Sequence, residues 1–296
     1  MQKQMMKQLQ NFSMEIGRVS GRRIKMANRV YVFGDLHGSY KPVKDFYNCY
    51  KDNPNFNFDG TDIIILLGDA GLNYFFNHRD DNFKNALCKY PFTYFVIRGN
   101  HEERPSNCME KEPNKWKMEL FWDNQVYVEK RCPKIKYALD FPAVYEIPLE
   151  DTDCTTLVLP GAYSVDKEYR LMNGWSWFPQ EQLSLPEKMA SVKLLADYGS
   201  SFNLILSHTA PLKYEPVDLF LPMVDQSRVD KSMEEYLDWI DDIADYELWL
   251  WGHYHAFRYY DPDKWDHYNR RKLMLFQKEQ IDLQDWLEAT GEGKVL

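Results

Sequence analysis

RVYVFGDLHG at residues 29–38 and DIIILLGDAG at residues 62–71 share one pattern, a short and continuously apolar run that stops at a Gly-Asp. Such runs lack the polar alternation of a strand with one wet face, and they suit strands buried on both sides of a sheet. The pattern returns in FTYFVI (92–97), TTLVL (155–159), NLIL (203–206) and ELWLW (247–251). Between the runs the spacing turns helical. Val43, Phe46, Tyr47 and Tyr50 fall at i, i+3, i+4 and i+7, and Ser184 with Glu187 and Ser232 with Glu235 are spaced as capping boxes before apolar periodic stretches. Gly199 is placed to stop a helix. Strands alternating with helices predict an α/β fold. The stretch 104–150 is rich in proline and charge, and its weaker periodicity predicts irregular segments with one or two short strands near 135–148.

A chain of 296 residues with this pattern predicts one large domain over 28–296. Residues 1–27 differ in character: they are polar and Met-rich, with Met5, Leu9 and Phe12 at helical spacing, and end in RVSGRRIK (18–25). They read as an N-terminal extension, its basic stretch a solvated linker. The net charge of -9 gives no long-range positive field to gather nucleic acid or a membrane surface, so neither is expected as a partner. An anionic substrate must then be attracted locally. The five cysteines are odd in number, widely spaced and without a CxxC pair, which predicts reduced thiols. The N-terminus lacks the apolar segment of a secretory signal, and Ile63–Leu67 is far too short to span a bilayer. A soluble, cytoplasmic protein is the expectation.

The chemistry collects at the ends of the apolar runs. Asp35, Asp69, Asn100, His208 and His253 each follow such a run by one to three residues, and His37 and His255 come two residues after the first and last of them. Strand ends along one sheet edge form the crevice in which α/β folds bind ligands, so residues far apart in sequence can converge there. The glycines of FGDLH, LGDAG, RGNHE and WGHYH suit tight strand-to-loop turns. Two carboxylates, one amide and four imidazoles, with no thiol, form a hard-to-borderline donor set suited to two divalent ions such as manganese, iron, zinc or nickel. Two such ions outweigh the two aspartates. The local positive surplus draws in phosphate, and a water shared between ions about 3.5 to 4 Å apart is acidified to hydroxide near neutral pH.

GDLHG, the GD at 68–69, RGNHE, the histidine of LSHTAP and GHYH together resemble the ordered motifs of the calcineurin-like metallophosphoesterases, from Asp35 to His255. The resemblance implies a single domain built as a four-layer α/β/β/α sandwich. It implies that Asp35, His37 and His255 hold a first metal, that Asn100, His208 and His253 hold a second, and that Asp69 bridges them at the catalytic centre. It makes His101 the residue that contacts the phosphoryl group or protonates the leaving oxygen, beside Asn100 at the substrate, and gives Glu102 a supporting place in the loop. The implied reaction is hydrolysis of a phosphoester by a hydroxide bridging two metals. A small phosphomonoester is the first choice of substrate, because nothing marks a channel for a polymer. A phosphodiester or nucleic acid is the near alternative. A non-catalytic scaffold on the same fold is the other, opposed by the intact donor set.

One departure stands out. The protein Ser/Thr phosphatase branch continues its second motif as GDxVDRG, whose Asp orients the catalytic histidine and whose Arg grips phosphate, whereas this chain reads GDAGLNY, with Leu72 and Asn73 at those positions. That places the chain outside the branch and leaves His101 without an evident orienting carboxylate. Arg98, Arg104 and Arg170 are the candidates for the missing phosphate contact. GAYSVDKEYR (161–170) forms either one wall of the site, with Arg170 on substrate, or a surface loop in which Arg170 is ion-paired. Trp175, Trp177 and Phe178 could stack on a substrate ring, although ordinary packing is expected of them. His78 and His267 read as solvent-exposed, without a role.

Overall fold

A computed structural model gives the fold, and describes residues 29–56, 58–149, 153–260, 270–289 and 292–296. The N-terminal extension over 1–27 and His267 lie outside the described residues. The first half of the chain runs β1 (Val30–Phe33), α1 (Lys41–Tyr50), β2 (Ile63–Leu66), α2 (His78–Leu87), β3 (Thr93–Val96), α3 (Pro105–Lys111), β4 (Trp116–Phe121), β5 (Asn124–Glu129) and β6 (Ile135–Tyr137). The second runs β7 (Ala143–Pro148), β8 (Asp153–Leu159), α4 (Lys167–Met172), α5 (Leu185–Asp197), β9 (Ser201–Ser207), α6 (Ser232–Ile243), β10 (Asp245–Trp251), β11 (Arg258–Tyr260), β12 (Arg271–Met274), β13 (Gln280–Asp282) and α7 (Leu283–Glu288). All six apolar runs become strands, and their buried faces explain why they read without alternation.

The strands form two sheets, one in the order β13-β1-β2-β3-β6-β5-β4 and one in the order β11-β12-β10-β9-β8-β7. The central pairs β1–β2–β3 and β8–β9–β10 are parallel. Their registers run level: Phe33 faces Leu66 and Leu66 faces Val96, while Leu159 faces Ser207 and Leu206 faces Leu250. Carboxyl ends therefore finish side by side within each sheet.

Period-two alternation sorts the side chains into layers. Leu204, Leu206, Leu248 and Leu250 join Val30 and Val32 in a core shared by the two sheets. Ile205, Trp249 and Trp251 point the other way, into a cluster with Leu195 of α5 and Leu237 and Ile240 of α6. On the far face Tyr31 and Phe33 pack edge-on against Phe46 of α1. Helix, sheet, sheet and helix follow one another, which is the expected four-layer sandwich. Fully burying side chains of this size contributes about 1.5–3 kcal/mol each, so the shared core rather than helix propensity holds the layers together.

Two local expectations need correction. The two short strands expected near 135–148 are there as β6 and β7, but the stretch 104–150 also holds helix α3 and the hairpin strands β4 and β5 where irregular segments were expected. Its hairpin turn uses Trp122 and Asp123, both with positive φ (52° and 58°), where a sequence signal would be Asn-Gly. Burial of Trp122 against Phe95, ring centroids 4.8 Å apart, pins that strained turn. The capping box at Ser184 and Glu187 is present, but Ser232 is the first helical residue of α6 with Lys231 at the N-cap, and its backbone N–H donates to Asp230 Oδ1 at 3.0 Å. Gly199 follows α5 with φ +63°, as a helix stop should. Among the described residues no helix is long and apolar enough to cross a membrane.

Candidate metal centre

The loops after β1, β2, β3, β9 and β10 meet at one rim of the sandwich, and three of them are bent through the left-handed region. His37, Asp69, His253 and His255 have φ of 47°, 45°, 68° and 55°, which is costly for residues with a Cβ and is found where surrounding contacts enforce it. Those contacts are visible. A Cβ on Gly68 would lie 2.2 Å from His208 Nδ1, one on Gly99 2.1 Å from Asp69 Oδ1, and one on Gly252 2.1 Å from Asp35 Oδ1. The glycines are therefore there chiefly to make room for side chains of neighbouring loops. The turn argument holds for Gly68, at φ +95°, and Gly34, Gly99 and Gly252 are close-approach positions.

The loops lock together by hydrogen bonds. His253 N donates to both oxygens of Asp35 (3.0 and 3.1 Å) and His101 N to Asp69 Oδ1 (2.8 Å). His208 Nδ1 lies 2.7 Å from the Leu67 carbonyl, so that nitrogen carries a proton and Nε2 is the atom that faces the cluster. Asn100 Nδ2 donates to Ser164 Oγ (2.9 Å), and Ser164 in turn contacts Glu181 (2.6 Å), which turns Asn100 Oδ1 inward to within 3.0 Å of His208 Nε2. Glu102 Oε1 accepts from Gly71 N (2.7 Å) and Leu72 N (3.3 Å), as a support for the loop would.

Asp35, His37 and His255 offer ligand atoms all within 4.8 Å of one another, and so do Asp69, His208 and His253. A third overlapping group joins His37, Asp69 and His101. The facing Nε2 atoms of His37 and His255 are 2.7 Å apart, two lone-pair donors aimed at one place. Electrostatics fit a cation there. Burial pushes the Asp35 carboxyl up to about 7 and the His37 imidazole down to about 4, and burial with the nearby His208 holds His253 well below its usual value. Burial also opposes charge on Asp69 and His208, yet attraction wins: His101 and then His208 hold Asp69 well below the carboxylate range, and Asp69 raises His208 to about 9. The result is a buried set in which His37 and His253 are neutral donors and His208 holds a proton against Asp69, a proton that a divalent metal would displace.

Beside this cluster stands His101, Oδ2 of Asp69 lying 3.7 Å from its Nε2. Arg170 fills the place opposite. It is 1% exposed, so the surface-loop reading of its segment fails: residue 170 lies in α4, with the guanidinium against both ring nitrogens of His101, Nδ1 at 2.6 Å. Its ion pair is real, since Nε donates to Asp166 Oδ1 at 2.8 Å. The other two arginines are engaged elsewhere. Arg98 donates to the Glu181 carbonyl (2.6 Å), and Arg104 to the carbonyls of Gln180 and Gln182 (both 2.9 Å) and to Glu187 (2.5 Å). Leu72 is buried, and Asn73 accepts from Lys84 (2.8 Å) instead of facing the site. Ser164 and Glu181 escaped sequence reasoning, because a relay between residues 64 and 17 positions apart leaves no motif, whereas Asp166 sits four residues before Arg170, the spacing of a helical ion pair that was available as a signal. Phe178 is buried as expected of packing, but Trp175 is 53% exposed and is no core residue. His78 is exposed.

No curated protein matches this sequence. Among solved structures, the protein TT1561 of Thermus thermophilus is similar at 12% identity, covering 91% of this chain and 99% of that one with a TM-score of 0.49. The phosphopantetheinyl hydrolase PptH from Mycobacterium tuberculosis is similar at 13% identity, covering 86% and 92% with a TM-score of 0.46. The sequence model of the calcineurin-like phosphoesterases matches residues 28–257, which takes in all five loops that carry the donors. The chain belongs to the calcineurin-like phosphoesterase family and is a metallophosphoesterase, a hydrolase that acts on ester bonds.

Proposed function

We propose that the chain holds two divalent metal ions and hydrolyses a small phosphomonoester, with residues 28–296 as the working domain and 1–27 as an extension. The observation that carries this reading is the division of the donors into two groups on either side of Asp69: Asp35, His37 and His255 on one, Asn100, His208 and His253 on the other. Asp69 would be shared between them. When bound, a divalent pair supplies positive charge for phosphoryl oxygens and acidifies a water molecule. The protein's own groups do the rest. Leu67 and Ser164 fix which atoms of His208 and Asn100 face inward. His101 delivers a proton to the leaving oxygen. Arg170, held by Asp166, offers a fixed guanidinium to the phosphoryl oxygens, the contact that Asn73 cannot make.

The test is elemental analysis joined to a panel of phosphomonoesters, diesters and phosphopeptides, with manganese, iron, nickel, zinc and magnesium supplied separately. Two metals per chain and catalytic efficiency at least about tenfold higher on small monoesters than on diesters or phosphopeptides are expected, a gap of about 1.4 kcal/mol. One metal per chain, or a preference for diesters or phosphopeptides, would overturn the reading. Full metal content without turnover would make the chain a scaffold.

A further inference from the structure

A second feature lies on the His101 side of the site. The ring of Tyr74 stacks over His101 at 6.2 Å and 23°, and Phe75 meets Tyr74 edge-on at 4.6 Å. Phe75 and Phe76 are 43% and 55% exposed. Large aromatic side chains held out in water are costly unless something else covers them. Here the backbone is built to hold them out: the buried carboxylate of Asp80 accepts from Phe75 N (3.0 Å) and Phe76 N (2.7 Å), and Phe76 is kept at φ 52°. A bulky residue in the left-handed region, tied by a buried acid, marks an enforced conformation. Arg170 lies over Tyr74 at 5.9 Å and links this platform to the turn after α4, where Trp175 N donates to the Arg170 carbonyl (2.9 Å) and the Trp175 ring stands edge-on to Tyr169. Cations accompany the rings. Arg79 sits over Phe75 at 4.9 Å and Lys167 over Trp177 at 4.2 Å, and neither forms an ion pair with a described residue. Asp80 and Glu168 are the chain neighbours of these two cations, so the rim is aromatic with cations set over its rings but carries no net positive charge.

From these observations we infer that the rim formed by Tyr74, Phe75, Phe76 and Trp175 stacks the planar leaving group of the substrate, and that nucleoside monophosphates are the substrate class. The inference rests on the phosphomonoesterase reading, since the leaving oxygen must depart on the side of His101. The surface is continuous with the site through Tyr74, which touches His101 and Phe75 alike, so a base stacked on its rings leaves the phosphate on the His101 side. Hydrolysis breaks the bond between phosphorus and the ribose 5′-oxygen, joins the oxygen of water to phosphorus, and leaves a proton on the 5′-hydroxyl. Water is the one co-reactant.

Ribose 5-phosphate shares the leaving oxygen of a nucleoside 5′-monophosphate and lacks the base, so the pair isolates stacking from chemistry. With the metal-loaded protein, kcat/KM on adenosine and uridine 5′-monophosphates should exceed that on ribose 5-phosphate by about tenfold or more, in line with the value of one stacked base. In Trp175→Ala and Phe76→Ala that ratio should fall several-fold, through KM rather than kcat. A readout free of turnover is quenching of tryptophan fluorescence by adenosine monophosphate, which Trp175→Phe should diminish. A wild-type ratio near one overturns the inference and leaves the phosphomonoesterase reading standing. A ratio untouched in both variants overturns the rim. Failure to hydrolyse any monoester overturns both readings together. A ratio near one in a chain that sediments as a dimer, made monomeric by Trp175→Ala, would make the rim a self-association surface.

Discussion

At the scale of single residues the centre is a set of mutual exclusions: each loop leaves out a Cβ where another loop places a ligand atom. Gly99→Ala would put a methyl group 2.1 Å from Asp69 Oδ1 and 2.5 Å from Asp69 N. The loop cannot yield without displacing Asp69, so the variant should lose stability by about 1–3 kcal/mol, the range for overpacked sites, and retain fewer metals per chain. Normal metal content with a normal melting temperature would show that the loop is softer than its contacts suggest. Asp69→Asn asks a chemical question at the same place. If Asp69 is shared between two ions, removing its charge should lower the occupancy of both and abolish nearly all turnover with the fold intact by circular dichroism. A variant that still binds two metals and works normally rules out sharing. His101→Asn should bind metal as the parent does and lose about 100- to 10,000-fold in rate, the range for a missing general acid. The loss should shrink on aryl phosphates, whose leaving oxygen departs without a proton. Equal loss for aryl and alkyl esters would leave His101 with binding alone.

At the scale of elements, legibility in the sequence followed burial. The strands with both faces covered read plainly as apolar runs, and their ends announced the candidate site through short motifs, because a buried strand has few ways to finish beside a ligand loop. The hairpin β4–β5 stayed hidden: its outer strand at the sheet edge mixes buried and exposed positions, and its turn relies on the packing of Trp122 rather than on Gly or Asn. The site was legible where a residue type is demanded by chemistry, as at Asp35 or His208. It was illegible where a partner is demanded by geometry, as for Ser164 and Glu181. Helix α5 gives a test of the same kind. Glu187 completes its capping box, with Ser184 N donating at 2.7 Å, and also receives Arg104 from the loop after β3. Burial pushes the Glu187 carboxyl up, but the Arg104 and Ser184 bonds outweigh it and hold the group below its ordinary value. A depressed carboxyl stabilises the fold above its unfolded pKa, near 4.5, and that contribution fades as pH falls through the folded value. Glu187→Gln should therefore lower the melting temperature by several degrees at pH 7, and the gap from the parent should close below about pH 4. A gap that is constant with pH would mean that the side chain acts by shape alone.

At the scale of the whole molecule, the sandwich is a shared apolar core with one polar seam. Donors from the loops after β1, β2 and β3 belong to one sheet, and those from the loops after β9 and β10 to the other, so any ion bound among them ties the sheets together at that rim. Protein contacts already cross there: His208 to the Leu67 carbonyl, His253 N to Asp35, and Gly161 N to the Arg98 carbonyl at 2.8 Å. They hold the loops in place but leave on His208 a proton held against Asp69, which a divalent metal would displace. Metal binding should therefore act as a stabiliser of the pair of sheets as well as a catalyst. An ion at about 100 times its dissociation constant adds about 2.7 kcal/mol, and two ions twice that, which in a chain of this size is a rise in melting temperature of about 10 °C. Hydrogen exchange locates the effect. Adding manganese or zinc to chelator-treated protein should slow exchange in the loops at 34–38, 68–71, 99–102, 207–209 and 252–255, while the hairpin β4–β5 at the far edge of its sheet exchanges as before. A uniform slowing over all strands would assign the stabilisation to global folding rather than to this seam. An unchanged melting temperature with metal demonstrably bound would mean that the loops are as well ordered without it, and that the strain at His37, Asp69, His253 and His255 is carried by the protein contacts alone.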